Sequence, residues 1–393
     1  MARRMTKKQK KQLSRFVSKN FWLVMLLIVI IVAFLFFAYY KGWLDKFFKK
    51  DDDIVLSSAG GYVTSVENTN LTINFLDVGQ GDSIIIELPD GKNMIIDSGP
   101  NTTSAKNAIS KFTTENDIKV FDYIILTHKD SDHVGNMNWV IDNYDVKYIF
   151  RPNNYSNHSL SQDLPSNFNT KTDGGLVADT QAYAKFMVSA YNEKCPVEIF
   201  NKDSDFSNKI IFGGNEYLYT FDFLTPTADK DKIVYSNAND YSPIMTLSYM
   251  GRTIMFTGDA EETVLEEYVS NYGNSRNIDV LKVGHHGSTN ATNSDFISAI
   301  DPEYAIIQCG LGNSYKHPHK QTLDILSGYD ENLKIYRNDT NGFISLSFDK
   351  SSNLNFSLEN TDCSLNLVEG ESMPTTLNVS FDKYISNSKL LVA

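Results

Sequence analysis

At 393 residues the chain has room for one large catalytic domain with additions, or for two domains of ordinary size. Its 41% hydrophobic and 12% aromatic content excludes general disorder. The net charge of −12 conceals an asymmetry: residues 1–50 hold 12 Lys/Arg against one acidic residue, and beyond them 24 basic residues face 47 acidic ones. Such a body repels polyanions at long range and is poorly suited to tight non-specific nucleic-acid binding, although a local basic groove stays open.

The chain opens with a basic segment, residues 1–20, and then runs from Phe21 to Tyr40 for 20 residues without a charge. At about 1.5 Å per residue that run matches a hydrocarbon layer of about 30 Å, and Trp22, Tyr39, Tyr40 and Trp43 suit its two interfaces. A cleaved signal peptide would have a shorter apolar stretch and a small-residue cleavage site. The basic flank predicts a cytoplasmic N-terminus and a single-pass protein of the cell membrane with an extracellular body; Lys41, Lys46, Lys49 and Lys50 weaken that bias. Residues 41–70 read as a linker.

A packed domain is expected over 71–350. Ile73–Asp77 and Ser83–Leu88 read as strands around the turn Gly79-Gln80-Gly81-Asp82, followed by Met94–Asp97. Tyr123–Leu126 is a short apolar run of the buried-strand type that ends at Thr127-His128. Residues 151–235, with a helix around Ala178–Tyr191, read as an insertion shaping the substrate site. Ile244–Tyr249 and Thr253–Phe256 form a hairpin that leads to Thr257-Gly258-Asp259 and a helix over Glu261–Val269. Val280–Val283 then enters Gly284-His285-His286-Gly287-Ser288, with a helix at Ser294–Ile300 and a strand at Ala305–Ile307. Residues 351–393 are expected as a β-rich or flexible tail. Cys195, Cys309 and Cys363 are too few and scattered for a disulfide framework or a zinc site.

Polar groups thus recur at strand ends, where layered α/β proteins gather ligands. Six of the seven histidines fall in three short segments, and His158 stands alone as a surface residue. In the run His128-Lys129-Asp130-Ser131-Asp132-His133, two histidines and two carboxylates can face one or two metal ions. Zn²⁺ accepts imidazole nitrogen and carboxylate oxygen at about 2 Å and, in catalytic sites, leaves a position for water, whose pKa it lowers toward about 7. Asp259 can bridge two metals, and a histidine of the pair His285-His286 can complete the set. A solvated charged loop explains the first run alone, but not its company with the other two segments.

The order Asp77-Val78-Gly79-Gln80-Gly81-Asp82-Ser83, Ile96-Asp97-Ser98-Gly99, Thr127–His133, Thr257-Gly258-Asp259, His285-His286-Gly287-Ser288 and Asn313–His319 resembles the metallo-β-lactamase domain of ComEC-type competence proteins over roughly residues 71–350. More distantly it resembles phosphorylcholine esterases of the same superfamily. The resemblance implies an α/β fold, an αββα sandwich with two sheets packed together and helices outside, and one or two divalent ions, Zn²⁺ or Mn²⁺. It implies that His128 and Asp130 serve one metal and Asp132, His133 and a histidine of the pair His285-His286, with His286 favoured, the other, with Asp259 between them; the sequence does not separate the two histidines. It further implies that Asp132, His285, His317 and His319 take part in catalysis, and that Asp82, Asp97 and Ser288 orient ligands or touch substrate. A histidine common in the superfamily between His133 and Asp259 is absent; Asn239 or Ser242 is the expected substitute. The function implied is a membrane-anchored phosphodiesterase or nuclease acting on extracellular DNA. Hydrolysis of cell-envelope phosphodiesters, or a non-catalytic binding role, are the alternatives.

Overall fold

The computed structural model describes residues 63–65, 70–169, 175–212, 215–275, 277–348 and 352–361, all within the unit Leu56–Ala393. The basic segment 1–20, the apolar run 21–40 and residues 362–393 lie outside the described residues. Among the described residues no helix is long and apolar enough to cross a membrane.

Two eight-stranded sheets are built from these residues. The first runs Val197–Ile199, Ile149–Arg151, Tyr123–Ile125, Asn93–Ile96, Ile84–Glu87, Leu71–Phe75, Ile344–Phe348, Asn355–Leu358. The second runs Val63–Ser65, Phe206–Phe212, Asn215–Phe223, Met245–Tyr249, Arg252–Phe256, Val280–Lys282, Tyr304–Ile307, Lys334–Arg337. The sequence expectation of strands at 73–77 and 83–88 and a hairpin at 244–256 is met, with Met245 opposite Phe256 and Tyr249 opposite Arg252.

Apolar runs such as Ile84-Ile85-Ile86 form strands because both faces are covered. Ile85, Ile95 and Ile124 point outward into a core with the helices Thr103–Glu115, Met137–Asn143 and Gln181–Glu193. On the other side, Met255, Leu281, Ala305 and Ile307 meet the helices Glu262–Tyr272, Ser294–Ile300 and Lys320–Tyr329. Between the sheets lie their alternate neighbours and a stack of aromatic rings. Phe206 lies 4.4 Å from Tyr123 and 5.1 Å from Phe221, ring centre to ring centre, and Phe150 lies 5.1 Å from Phe223. The order helix, sheet, sheet, helix is the αββα arrangement.

Two expectations change. Residues 151–235 contribute Val197–Ile199 to the first sheet and Phe206–Phe212 and Asn215–Phe223 to the second, so they are frame as well as surface. The 41–70 linker contains Val63–Ser65, which pairs in parallel with Phe206–Phe212, so the folded body begins before Leu71. At the other end Asn355–Leu358 extends the first sheet beyond residue 350.

Candidate metal centre

The parallel strands Asn93–Ile96 and Tyr123–Ile125 of the first sheet, and Arg252–Phe256 and Val280–Lys282 of the second, end on the same side of the sandwich. Just past those ends stand Asp97, His128, Asp259 and the pair His285-His286. The short helix Ser131–Val134 carries Asp132 and His133 beside them. The turn 79–82 locks onto this helix: Asp82 N donates to Asp132 O at 3.3 Å. A Cβ at Gly81 would sit 2.3 Å from that same oxygen, and its φ of +143° disfavours any side chain.

The focus is one oxygen, Asp259 Oδ2. His133 Nε2 lies 3.1 Å from it, His286 Nε2 3.4 Å, His285 Nε2 3.8 Å and His128 Nε2 3.9 Å. Asp132 Oδ2 approaches His286 Nε2 at 3.2 Å, and Asp130 Oδ2 approaches His128 Nε2 at 3.9 Å. The sequence-chosen ligands His128, Asp130, Asp132, His133, Asp259 and His286 are therefore brought together.

The opposite edge of each ring is tied to oxygen. His133 Nδ1 faces Asp97 Oδ2 at 2.7 Å, and His286 Nδ1 faces Gln308 O at 2.9 Å. His285 Nδ1 lies 3.1 Å from Glu261 Oε1. His128 Nδ1 lies 3.1 Å from Thr127 Oγ1 and 3.2 Å from Ser242 Oγ. Thr127 Oγ1 gives its own proton to Asp97 Oδ2 at 2.6 Å, which leaves it to accept from His128 Nδ1–H. The Nδ1 protons are fixed outward, so on metal binding the Nε2 lone pairs would point inward, the arrangement that a carboxylate or carbonyl behind a ligand histidine enforces.

Burial opposes charge on His133 and His286, yet Asp259 and Asp97 around the first, and Asp259 and Asp82 around the second, hold both imidazoles well above their ordinary pKa. Burial also opposes ionisation of Asp259 and Asp132, and the two histidines overcome it and hold both carboxyls below their ordinary value. Carboxylates that draw protons onto two buried imidazoles demand positive charge at this point. His128 goes the other way: burial and the nearby His133 lower its pKa and keep it neutral. Its Nε2 and Asp259 Oδ1 are buried without a hydrogen-bond partner among the described residues. Each such orphan costs about 1–3 kcal/mol, which a cation would remove. The donor set fits a divalent metal.

Asp82, His133, Asp259 and His286 also offer four ligand atoms within 4.8 Å of one another. Asp82, however, meets His286 on the Nδ1 side at 3.1 Å, and its second oxygen is taken by the buried Lys282 Nζ at 2.6 Å. Asp82 Oδ1 therefore lies on the Nδ1 side of His286, whose ring proton goes to Gln308 O, and is itself buried without a hydrogen-bond partner among the described residues, while Asp132 is the acid that faces the Nε2 side.

Asn239 and Ser242 do not stand in for the absent histidine. Ser242 Oγ accepts from Asp259 N at 3.0 Å behind His128, and Asn239 Nδ2 donates to Glu261 Oε1 at 2.7 Å. Ser288 turns away from the centre and donates to Asn290 Oδ1 at 2.6 Å. His317 packs its ring against His285 and His286, at 5.4 and 6.0 Å between centres. Its Nδ1 accepts from Gln80 Nε2 at 3.3 Å, an amide whose orientation is set by Gly310 N donating to Gln80 Oε1. His317 thus carries its proton on Nε2, the reverse of the four inner rings. Burial, with His286 and His285 nearby, pushes its pKa down to about 3. His319 uses both nitrogens on backbone groups, accepting from Thr289 N and donating to Tyr315 O.

Sequence reasoning missed Glu261, Gln308 and Lys282. A lysine inside the apolar run Val280–Val283 was an available signal, since a buried charge requires a partner. Glu261 looked like an ordinary acid at a helix start, and Gln308 acts through its backbone carbonyl, which no side-chain pattern reveals.

Residues 76–310 match the model of the Metallo-beta-lactamase superfamily, and the chain belongs to that superfamily. Within it, the chain is similar to ComE operon protein 3 of Bacillus subtilis (strain 168), 26% identical over 287 residues that cover 69% of this chain and 32% of that protein. It is similar also to competence protein ComA of Neisseria gonorrhoeae, 23% identical over 278 residues, 71% of this chain and 32% of the relative. These are ComEC-type competence proteins, as the motif order implied, and the matched region spans about a third of their length. Among solved structures, the metallo-beta-lactamase fold protein YhfI from Bacillus subtilis aligns at 10% identity with a TM-score of 0.37, covering 67% of this chain and 96% of that one.

Proposed function

We propose that this superfamily hydrolase is a phosphodiesterase of the nuclease kind that acts on extracellular DNA, held at the cell membrane by residues 21–40 with its N-terminus cytoplasmic. The observation that carries the hydrolase chemistry is the convergence of buried imidazole Nε2 atoms and of Asp132 and Asp259 on one point at the strand ends. The DNA substrate is supported by similarity to competence proteins.

His128, Asp130, Asp132, His133, Asp259 and His286 would hold Zn²⁺ or Mn²⁺. A divalent ion there supplies an ionised nucleophile near neutral pH and neutralises charge on the phosphodiester. His317 presents Nε2–H to a phosphate oxygen as a neutral hydrogen-bond donor, because its Nδ1 is engaged by Gln80. His319 holds the loop that positions His317. Asp97 fixes the ring of His133, and Gln308 O fixes that of His286.

The excess of acidic residues beyond residue 50 favours a second substrate class, a phosphodiester of the cell envelope such as a teichoic-acid or lipid headgroup. One experiment separates the two. The full chain is stripped of metal, resupplied with Zn²⁺ or Mn²⁺, and assayed on single-stranded DNA and bis-p-nitrophenyl phosphate beside Asp132→Ala. Metal-dependent cleavage of both substrates, lost in Asp132→Ala with an unchanged circular dichroism spectrum, supports the nuclease. Cleavage of the small diester alone transfers the function to the envelope, and activity surviving in Asp132→Ala refutes the centre described above.

A further inference from the structure

We infer that Tyr315 is the floor of a base subsite: its exposed ring stacks a nucleobase next to the phosphate that His317 contacts, which directs the centre to single-stranded rather than paired DNA. The inference deepens the nuclease reading and rests on it.

Exposed aromatic side chains are ordinary when scattered singly, and Tyr315 differs by the way it is held. At 63% exposure it is the most open aromatic ring among the described residues. Its loop, between the strand Tyr304–Ile307 and the helix Lys320–Tyr329, is tied down by side chains. Asn313 is the clasp: Nδ2 donates to Gly310 O at 2.8 Å and to His317 O at 2.6 Å, and Oδ1 accepts from His317 N at 3.0 Å. The carbonyl of Tyr315 accepts from His319 Nε2 at 3.1 Å, and His319 N donates to Gly287 O at 2.9 Å, which fastens the loop to the turn that carries His285 and His286. A ring presented on a segment fixed in this way is preorganised for a ligand.

Placement gives the ring its role. Lys316 between them is left-handed, with a φ of +64°, and the rings of Tyr315 and His317 lie nearly parallel, 20° apart in plane and 5.7 Å between centres. His317 in turn lies 5.4 Å from His285. The rings form a row that leads outward from the metal centre, and the exposure of Tyr315 leaves room for one more flat group. In a single strand each base hangs one sugar away from a phosphate, so a phosphate oxygen on His317 Nε2–H brings a base within reach of Tyr315. Stacking of this kind needs an unpaired base and tolerates any sequence. Lys316 is exposed beside the ring, without an ion pair among the described residues, and supplies a cation for the adjoining phosphate. A choline-type headgroup also favours an aromatic face, but Lys316 repels its charge, and one open ring does not enclose it.

The test compares substrates with and without a base. Steady-state kinetics of the metal-loaded full chain are measured on single-stranded DNA, on the same strand built with abasic sites, and on glycerophosphocholine. Tyr315→Ala and Tyr315→Leu are expected to raise KM for the normal strand by about 5–150-fold with kcat kept, because stacking holds ground state and transition state alike. Tyr315→Trp restores the wild-type KM. On the abasic strand the wild type already shows the raised KM, and the substitutions add nothing. Binding without turnover gives a second reading: the metal-free chain quenches the fluorescence of a strand carrying 2-aminopurine, and Tyr315→Ala abolishes the quenching. With DNA still cleaved, an unchanged KM in Tyr315→Ala, an equal rise on the abasic strand, quenching that survives the substitution, or a loss confined to the choline diester overturns the base subsite and leaves the nuclease reading standing. A wild type that cleaves no DNA overturns that reading, and this inference with it.

Discussion

Asp97 shows how much one side chain can govern. Its Oδ1 accepts from Thr127 N at 2.8 Å, while Oδ2 accepts from Thr127 Oγ1 and from His133 Nδ1. Replacing it with Asn removes the charge behind His133, and metal affinity is expected to fall about 10–100-fold with little change in fold; chelator competition measures this. His317→Ala should show the opposite signature, with metal content intact and kcat reduced by about 10²–10³-fold, because the lost donor acts on substrate alone. Steady-state kinetics paired with metal analysis separates the two classes of residue. The histidines and aspartates of the centre were legible from their clustering at strand ends. Their roles were not, because the position of a proton on Nδ1 or Nε2 depends on groups as distant in sequence as Gln80 and His317.

Among the elements, strands were legible wherever a short apolar run met a turn, as at Ile84–Glu87 and Tyr123–Ile125. The helix Thr103–Glu115 was not, since its buried face contains only Ala105, Ile109 and Thr113, a sparse stripe within a polar segment. Its start is set by Thr102, whose side chain accepts from Ala105 N. The sheet Val63–Arg337 was hidden in part because its outer strands Val63–Ser65, Phe206–Phe212 and Asn215–Phe223 lie outside the central hairpin, in stretches read as linker and insertion. Inside it, Phe206 is the ring that joins the layers, touching Tyr123 and Phe150 of one sheet and Phe221 of the other. Phe206→Ala should destabilise the fold by about 3–5 kcal/mol; chemical denaturation followed by tryptophan fluorescence gives the value.

For the molecule as a whole, the charge balance of the centre makes stability depend on both metal and pH. Without metal, the raised pKa values of His133 and His286 mean that their contribution is complete below the ordinary histidine value of 6.5 and fades as pH rises through the raised values. The depressed values of Asp132 and Asp259 act in the opposite sense: their contribution is complete above the ordinary 3.8 and fades as pH falls through the lowered values. His128 and His317, whose values are lowered, contribute in full above the ordinary 6.5 and lose that contribution as pH falls, so the metal-free chain should be most stable at about pH 6.5. Metal binding displaces protons from the ligand histidines, so the rise in melting temperature on adding Zn²⁺ should be larger at about pH 8 than at about pH 5. Thermal melts with and without a chelator at the two pH values measure the difference.

The ligands come from two separate stretches of chain, residues 128–133 beside the first sheet and residues 259–286 beyond strands of the second. The first sheet is itself completed late, when Ile344–Phe348 pairs with Leu71–Phe75. A polypeptide still being synthesised therefore has only half a coordination sphere until His286 has emerged, and an unfinished sheet for some sixty residues more. A fragment that ends before His286 would lack that ligand of the proposed centre, so metal loading is expected to report a molecule in which both stretches are present.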